Sequence, residues 1–168
     1  MRKLNGALVL AVVFAASTAL PLIAGDSTDA FAGKWILDKK LSNAPLGLRD
    51  LEQTIKQTGP DIKIESKFAE PGNGVVPLLY MGVMTTDLTL KADGSETQNQ
   101  IGPFQQASKT TLNGNQMETD WTATVRGDPI RGHWTRTISP DGKHMTLNIK
   151  ESSTGSQQAS AELHFIRK

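Results

Sequence analysis

The sequence predicts an all-β protein, a single antiparallel meander β-barrel of about eight to ten strands. From Phe31 onward, short runs with period-two alternation follow one another, and no stretch keeps a helical period beyond about two turns. Turn dipeptides separate these runs, and their glycine or asparagine residues supply the positive φ that tight hairpins need. The turn signals are Thr58-Gly59-Pro60-Asp61, Asp93-Gly94, Asn113-Gly114, Gly127-Asp128-Pro129, Asp141-Gly142 and Thr154-Gly155.

Strand parity predicts which side chains face the interior, because alternate residues of a strand point to opposite sides of the sheet. In each run one parity is apolar and the other is mostly Lys, Glu, Asp, Thr and Gln. Such a meander is expected to close on itself and so to remove exposed strand edges. The predicted apolar interior comprises Trp35, Leu37, Leu51, Ile55, Ile62, Ile64, Phe68, Leu88, Leu90, Met117, Trp121, Val125, Ile130, Trp134, Ile138, Met145, Leu147, Ile149, Leu163 and Phe165.

Composition excludes several classes of function. The chain has 168 residues, which suits one domain. Its 18 basic and 17 acidic side chains nearly cancel, so no field of one sign would attract nucleic acid or an anionic membrane surface. Cysteine is absent, which rules out disulfides, thiolate metal sites and a cysteine nucleophile.

The N-terminus predicts export. Arg2 and Lys3 precede an uncharged apolar run from Ala7 to Ile23, which is typical of a secretory signal peptide. We expect a signal peptide over residues 1–24, a disordered linker over 25–30 and the barrel over 31–168. The mature protein is then periplasmic or secreted, with no stable membrane span. The alternative is a membrane anchor, since the run is close to the lower length limit for crossing a bilayer.

Two ends of the predicted barrel resemble the calycin superfamily, which comprises lipocalins and fatty-acid-binding proteins. Phe31-Ala32-Gly33-Lys34-Trp35 opens the first strand, and Arg167 lies on the last. In that superfamily a Gly-x-Trp packs at the closed end of the barrel under an arginine from the final strand. The resemblance implies that Gly33, Trp35 and Arg167 close one end, where a guanidinium and an indole stack favourably.

A closer likeness is to small secreted bacterial lipocalin-like proteins. Their Gly-x-Trp-x-Leu-Asp-x-x-x-Ser phrase is matched from Gly33 to Ser42, and their Arg-Thr-x-Ser-x-Asp-Gly-Lys hairpin is matched from Arg136 to Lys143. The resemblance spans roughly residues 31–168. Because that family has no assigned common activity, it implies a fold rather than a function.

Candidate ligand contacts follow from parity. Arg136 shares a face with Trp134 and lies near Trp121, and an arginine in an apolar interior must find acceptors. A ligand carboxylate is one acceptor; an internal pairing or a position at the barrel rim are the alternatives. Gln53 and Phe68 complete the candidate ligand-binding set. Further polar residues on interior parities are Gln57, Ser66, Gln106 and Ser108, and with them the interior is amphiphilic, as suits a lipid-like or aromatic acid.

No catalytic, metal or cofactor site is predicted. His133, His144 and His164 fall on outward parities without metal-ligand spacing, so a haem site would lack an inward ligand. No Gly-x-Ser-x-Gly elbow is present, and the acidic residues are scattered.

The sequence therefore predicts an exported, non-enzymatic binding protein whose barrel holds a small hydrophobic or amphiphilic molecule. The alternative is a ligandless envelope barrel that acts in protein contact or structure. An enzyme on the same scaffold is a third hypothesis, without a visible acid, base or nucleophile set.

Overall fold

The computed structural model describes residues 29–43, 48, 50–68, 87–153 and 158–168. The predicted signal peptide lies outside the described residues. The strands are β1 (Gly33–Leu37), β2 (Leu51–Thr58), β3 (Asp61–Phe68), β4 (Asp87–Lys91), β5 (Asp93–Ile101), β6 (Phe104–Asn113), β7 (Gln116–Val125), β8 (Asp128–Ile138), β9 (His144–Ser153) and β10 (Gln158–Arg167). No helix among the described residues has the length and apolar character needed to cross a bilayer.

The ten strands form one antiparallel sheet in the order β4-β3-β2-β1-β10-β9-β8-β7-β6-β5. Each strand pairs with its sequence neighbours, except that β1 also pairs with β10 and β4 does not pair with β5. Pairing of β1 with β10 curls the meander into a nearly closed barrel. The predicted all-β meander of eight to ten strands is confirmed.

Most predicted turns lie where the chain reverses. Gly59, Gly114 and Gly127 adopt positive φ between paired strands, and Gly142 does so in the β8–β9 connection. At these positions glycine avoids the clash that a Cβ would cause. The predicted turn at Thr154-Gly155 lies outside the described residues.

The barrel has a seam between β4 and β5, where Gly94 adopts the positive φ predicted for its turn dipeptide. The two strands follow one another but share no backbone ladder. Instead, the buried side-chain amide of Asn99 on β5 bridges the seam: its Oδ1 accepts from the Thr89 N–H at 2.8 Å, and its Nδ2 donates to the Thr89 carbonyl at 3.0 Å. One side chain thus takes the place of one rung of backbone pairing.

The interior agrees with the parity prediction. All of the predicted apolar set is buried except Phe68, which is partly buried against the core. Polar side chains are buried too, among them Gln53, Ser66, Gln106 and Ser108. The core is therefore an apolar lining with polar groups set into it.

Candidate functional site

Strand register arranges the interior side chains of β6 to β9 in cross-strand rows. We define a lower row of Met117, Arg136 and Leu147, a middle row of Thr110, Thr119, Trp134 and Ile149, and an upper row of Ser108, Trp121, Gly132 and Glu151. Successive rows lie two residues apart along each strand. Because a strand rises about 3.3 Å per residue, the lower and upper rows are about 13 Å apart along β8.

Arg136 is the main polar group of the lower row. Its side chain has 0% exposure, and its cross-strand partners are Met117 and Leu147. None of its three guanidinium nitrogens has a hydrogen-bond or ion-pair partner among the described residues. The guanidinium carbon lies 5.8 Å from the Trp134 ring centroid, within reach of a cation–π contact. Burial lowers the pKa of Arg136 to about 10, so it remains charged at neutral pH.

Within the described part of the chain, the Arg136 side chain is fully buried and its contact with a charged or π-electron group is the Trp134 ring. Desolvating an ion without compensation costs several kcal/mol. The guanidinium is therefore a buried donor set, with five N–H groups available to an acceptor.

The two tryptophans lie side by side above Arg136. The Trp121 and Trp134 ring centroids are 5.5 Å apart with planes inclined by 45°, a tilted packing favourable for aromatic rings. Trp121 covers the backbone of Gly132: a Cβ added there would lie 2.2 Å from the indole Cε2 and Nε1 atoms. Glycine at this position therefore lets the indole lie flat against β8. The Trp121 indole N–H is buried without a hydrogen-bond acceptor among the described residues, whereas the Trp134 indole N–H adjoins the Glu151 carboxyl.

Glu151 extends the upper row onto β9. It lies directly opposite Gly132, only 7% of it is exposed, and its Oε1 is buried without a partner in the described structure. Burial raises the pKa of this carboxyl to about 8, and the neighbouring Trp134 indole N–H offsets part of that effect. At neutral pH the carboxyl is therefore mostly protonated, and it can both donate and accept a hydrogen bond.

Two polar side chains of β6 complete this wall. The Ser108 hydroxyl lies opposite Trp121, and both amide atoms of Gln106 lie one row above it. They too are buried without partners among the described residues. By contrast, Thr110 and Thr119 satisfy each other at 2.9 Å. Unpaired polar atoms are thus concentrated above and below the middle row.

Gln53 and Phe68 lie on a different wall. The Gln53 amide donates to Ser66 Oγ at 3.1 Å, and Phe68 faces Leu51 across the β2–β3 ladder. In the sheet order, β1, β10 and β9 stand between β2 and β8. The structure therefore places Arg136, Trp121 and Trp134 on one wall of the barrel and Gln53 and Phe68 on another. Ligand contact by all five stays a prediction.

Trp35 and Arg167 meet beside the N-terminus of β1. The Arg167 guanidinium carbon lies 4.5 Å from the Trp35 ring centroid, and its Nη2 donates to the Ala30 carbonyl. The Trp35 indole donates to the Phe31 carbonyl at 2.9 Å. Gly33 has a φ of 140°, and its position faces the Arg167 side chain. These contacts tie the last strand to the residues that precede the first.

The outer face carries two chains of acid, histidine and threonine. His133 bridges Asp120 Oδ1 at 2.8 Å and Thr135 Oγ1 at 3.1 Å, beside an open depression of about 660 Å³. His164 similarly lies between Glu162 and Thr146, at 2.8 and 3.4 Å. Sequence reasoning placed these histidines outside but missed their carboxylate partners.

The order of groups around His133 is that of a hydrolase triad, but its setting differs. A nucleophile needs donors that stabilise a developing oxyanion. Thr135 lies within β8, which is paired with β7 on one side and β9 on the other, so the neighbouring backbone N–H groups are committed to ladders. No three His, Cys, Asp or Glu residues of the described chain converge as metal ligands.

Glu151, Gly132 and Asn99 are the residues that sequence reasoning missed. Glu151 has the parity of Met145, Leu147 and Ile149, so extending that strand by one more alternation would have found it. Gly132 and Asn99 gave no such signal, since each acts through a neighbour on another strand.

Comparisons with known proteins identify the fold. No family model matches the chain, and no curated protein matches it. Among solved structures, it is similar to a secretory abundant heat soluble protein from Ramazzottius varieornatus, with a TM-score of 0.57, 15% identity, and coverage of 83% of this chain and 96% of that one. It is also similar to fatty-acid-binding protein 1 from Echinococcus granulosus, with a TM-score of 0.51, 13% identity, and coverage of 83% and 98%. At these identities the likeness shows a shared barrel fold.

Proposed function

We propose that this protein is a non-enzymatic binding protein that holds a small amphiphilic anion inside its barrel, with the anionic head on Arg136. The observation that carries the proposal is the fully buried, unpartnered guanidinium of the lower row. Trp121, Trp134 and the apolar side chains around them supply the surface for a hydrocarbon or aromatic body.

The energetic argument favours a function for Arg136 over a role in stability. A buried charge without a partner costs several kcal/mol, and an apolar side chain of similar size would remove that cost. A carboxylate ligand would satisfy the guanidinium through short, bidentate, charge-assisted hydrogen bonds. The buried charge of Arg136 thus lowers the stability of the ligand-free protein, and a bound carboxylate would offset that loss.

The fold supports this proposal but does not identify the ligand. One structural neighbour is a fatty-acid-binding protein by name, and barrels of this kind hold ligands within their interior.

The test is binding of a fluorescent dansyl-labelled fatty acid, followed by energy transfer from the tryptophans. We expect saturable transfer, displacement by an unlabelled fatty acid, and much weaker displacement by the alcohol of equal chain length. Arg136→Met should weaken binding of the acid roughly ten- to hundredfold, the value of a charge-assisted hydrogen bond.

Arg131→Met is the matched control, because Arg131 is an exposed arginine on the same strand. It should leave the affinity unchanged. An affinity for the acid that is the same with Met at position 136 would refute the head-group role. Absence of any saturable binding would favour the ligandless envelope barrel.

We also propose export, with residues 1–24 as the signal peptide, 25–30 as the linker and 31–168 as the mature barrel. The charged start and apolar run support this, and one structural neighbour is named a secretory protein. Expression of the full chain with cell fractionation and N-terminal sequencing is the test. A protein retained in the cytoplasm with an intact Met1 would refute export.

A further inference from the structure

The upper row holds a second concentration of unpaired polar atoms that the binding of an anionic head does not use. Ser108 Oγ, Trp121 Nε1 and Glu151 Oε1 belong to consecutive strands in one continuous register, Ser108 to Trp121 to Gly132 to Glu151. All three residues are more than nine-tenths buried, and none of these atoms has a partner among the described residues. Leaving one such buried group unsatisfied costs about 1–3 kcal/mol.

The Trp121 and Glu151 atoms lie close enough together to serve a single group, whereas Ser108 lies on β6, on the far side of Trp121 from Glu151. The Trp121 indole nitrogen lies 2.2 Å from the position that a Cβ of Gly132 would occupy. Side chains directly opposite in an antiparallel pair have Cβ atoms about 5 Å apart, which places the base of the Glu151 side chain beside the indole. The Trp134 indole N–H also adjoins the Glu151 carboxyl.

The donors and acceptors of this row suit an uncharged oxygen. The indole N–H donates only, while a serine hydroxyl and a protonated carboxyl each donate and accept. Because burial raises the pKa of Glu151 to about 8, its carboxyl carries a proton at neutral pH and does not repel a bound acid. A hydroxyl or carbonyl group matches these partners, whereas a plain methylene chain leaves them unsatisfied.

We infer that the ligand is a doubly polar amphiphile: an acid whose hydrocarbon body carries a hydroxyl or carbonyl group that binds the upper row, about 13 Å along the barrel from the Arg136 site. This inference rests on the proposed function, since it places a second contact on the same bound acid. In the intervening middle row the threonines are paired with each other and Ile149 is fully buried, so these residues offer no unsatisfied polar group to the hydrocarbon between the two contacts.

The test compares two acids that differ by one oxygen, stearic acid and a mid-chain hydroxystearic acid, as competitors of the fluorescent fatty acid. We expect the wild-type protein to bind the hydroxy acid roughly five- to tenfold more tightly, the value of one or two buried hydrogen bonds. Glu151→Leu should abolish this preference and leave stearic acid affinity unchanged or higher. Glu151→Gln should retain it, because an amide also donates and accepts.

Glu118→Leu, an outward-facing glutamate on β7, is the control and should preserve the preference. If Glu151→Leu does not fold by circular dichroism, Trp121→Phe, which keeps an aromatic ring but removes the indole N–H, replaces it, with an expected two- to fivefold loss of preference. Equal affinities of the two acids in the wild type, or a preference that persists in Glu151→Leu, would overturn this inference. Stearic acid binding that depends on Arg136 would leave the proposed function standing in that case, whereas failure of both acids to bind would refute both.

Discussion

Replacing Arg136 by methionine should stabilise the ligand-free protein. Burial lowers the pKa of Arg136 to about 10, whereas an exposed arginine stays above about 12. At about 1.4 kcal/mol for each tenfold change in proton affinity, the charged side chain costs the folded state about 3 kcal/mol. Methionine is unbranched and of similar length, so it fills the same irregular space without charge. We expect the free energy of unfolding to rise by about 2–3 kcal/mol and the Tm by about 5 °C or more.

The destabilisation by Arg136 depends on pH, and this dependence determines the pH at which unfolding should be measured. Below about pH 10 the guanidinium is charged in both the folded and the unfolded chain, so the full penalty applies at pH 7. Above that pH the folded chain releases its proton first, and the penalty declines. Urea unfolding at pH 7 after removal of bound lipid measures the effect, with Arg131→Met expected to stay within about 0.5 kcal/mol of wild type. A lower free energy of unfolding for Arg136→Met would show that the guanidinium has acceptors in the folded protein and would refute the reasoning.

Three further changes test other parts of the structure. Since burial raises the pKa of Glu151 to about 8, the free energy of unfolding should fall as pH rises from about 4.5 to 8. In urea unfolding, Glu151→Gln should remove this fall and leave the free energy of unfolding at pH 4 unchanged. An equal effect of the substitution at pH 4 and pH 8 would contradict the prediction. Gly132→Ala should lower the free energy of unfolding by about 1–3 kcal/mol and shift the fluorescence emission of the displaced Trp121. Unchanged emission would contradict the close packing of the indole on Gly132. Asn99→Leu should lower the free energy of unfolding by about 2 kcal/mol and speed amide hydrogen exchange along β4. Unaltered exchange would show that the seam does not depend on this side chain.

Strand parity predicted most of the core because period two is a local property of the chain. Wherever Leu, Ile, Val or Trp alternates with charged residues, burying one face leaves little choice of register. Phe68 is the one member of the predicted set that stays partly exposed. It ends β3, where fewer neighbouring strands cover it than cover Ile64 in mid-strand.

Strand pairing could not be predicted where it depends on a distant strand. Asp93-Gly94 has the sequence of a hairpin turn, yet β5 does not pair with β4. The register of β5 shifts between Asp93 and Glu96 as it pairs with β6, and β4 is taken up by β3. A turn dipeptide indicates that the chain can reverse direction there. Whether the two flanking strands then form backbone hydrogen bonds with each other depends on which other strands are available to pair with them.

In the candidate site, too, some features follow from the sequence and others only from the tertiary structure. By itself the sequence determined an all-β meander and placed Arg136 with Trp121 and Trp134 on interior faces, because side-chain alternation follows from backbone geometry alone. Only the tertiary structure decided that the Arg136 guanidinium has no hydrogen-bond partner among the described residues, that Gly132 admits the indole of Trp121, and that Ser108 and Glu151 fall into one row. Whether a buried polar group is satisfied depends on atoms many residues away, and only the completed packing of β6 to β9 brings those atoms together.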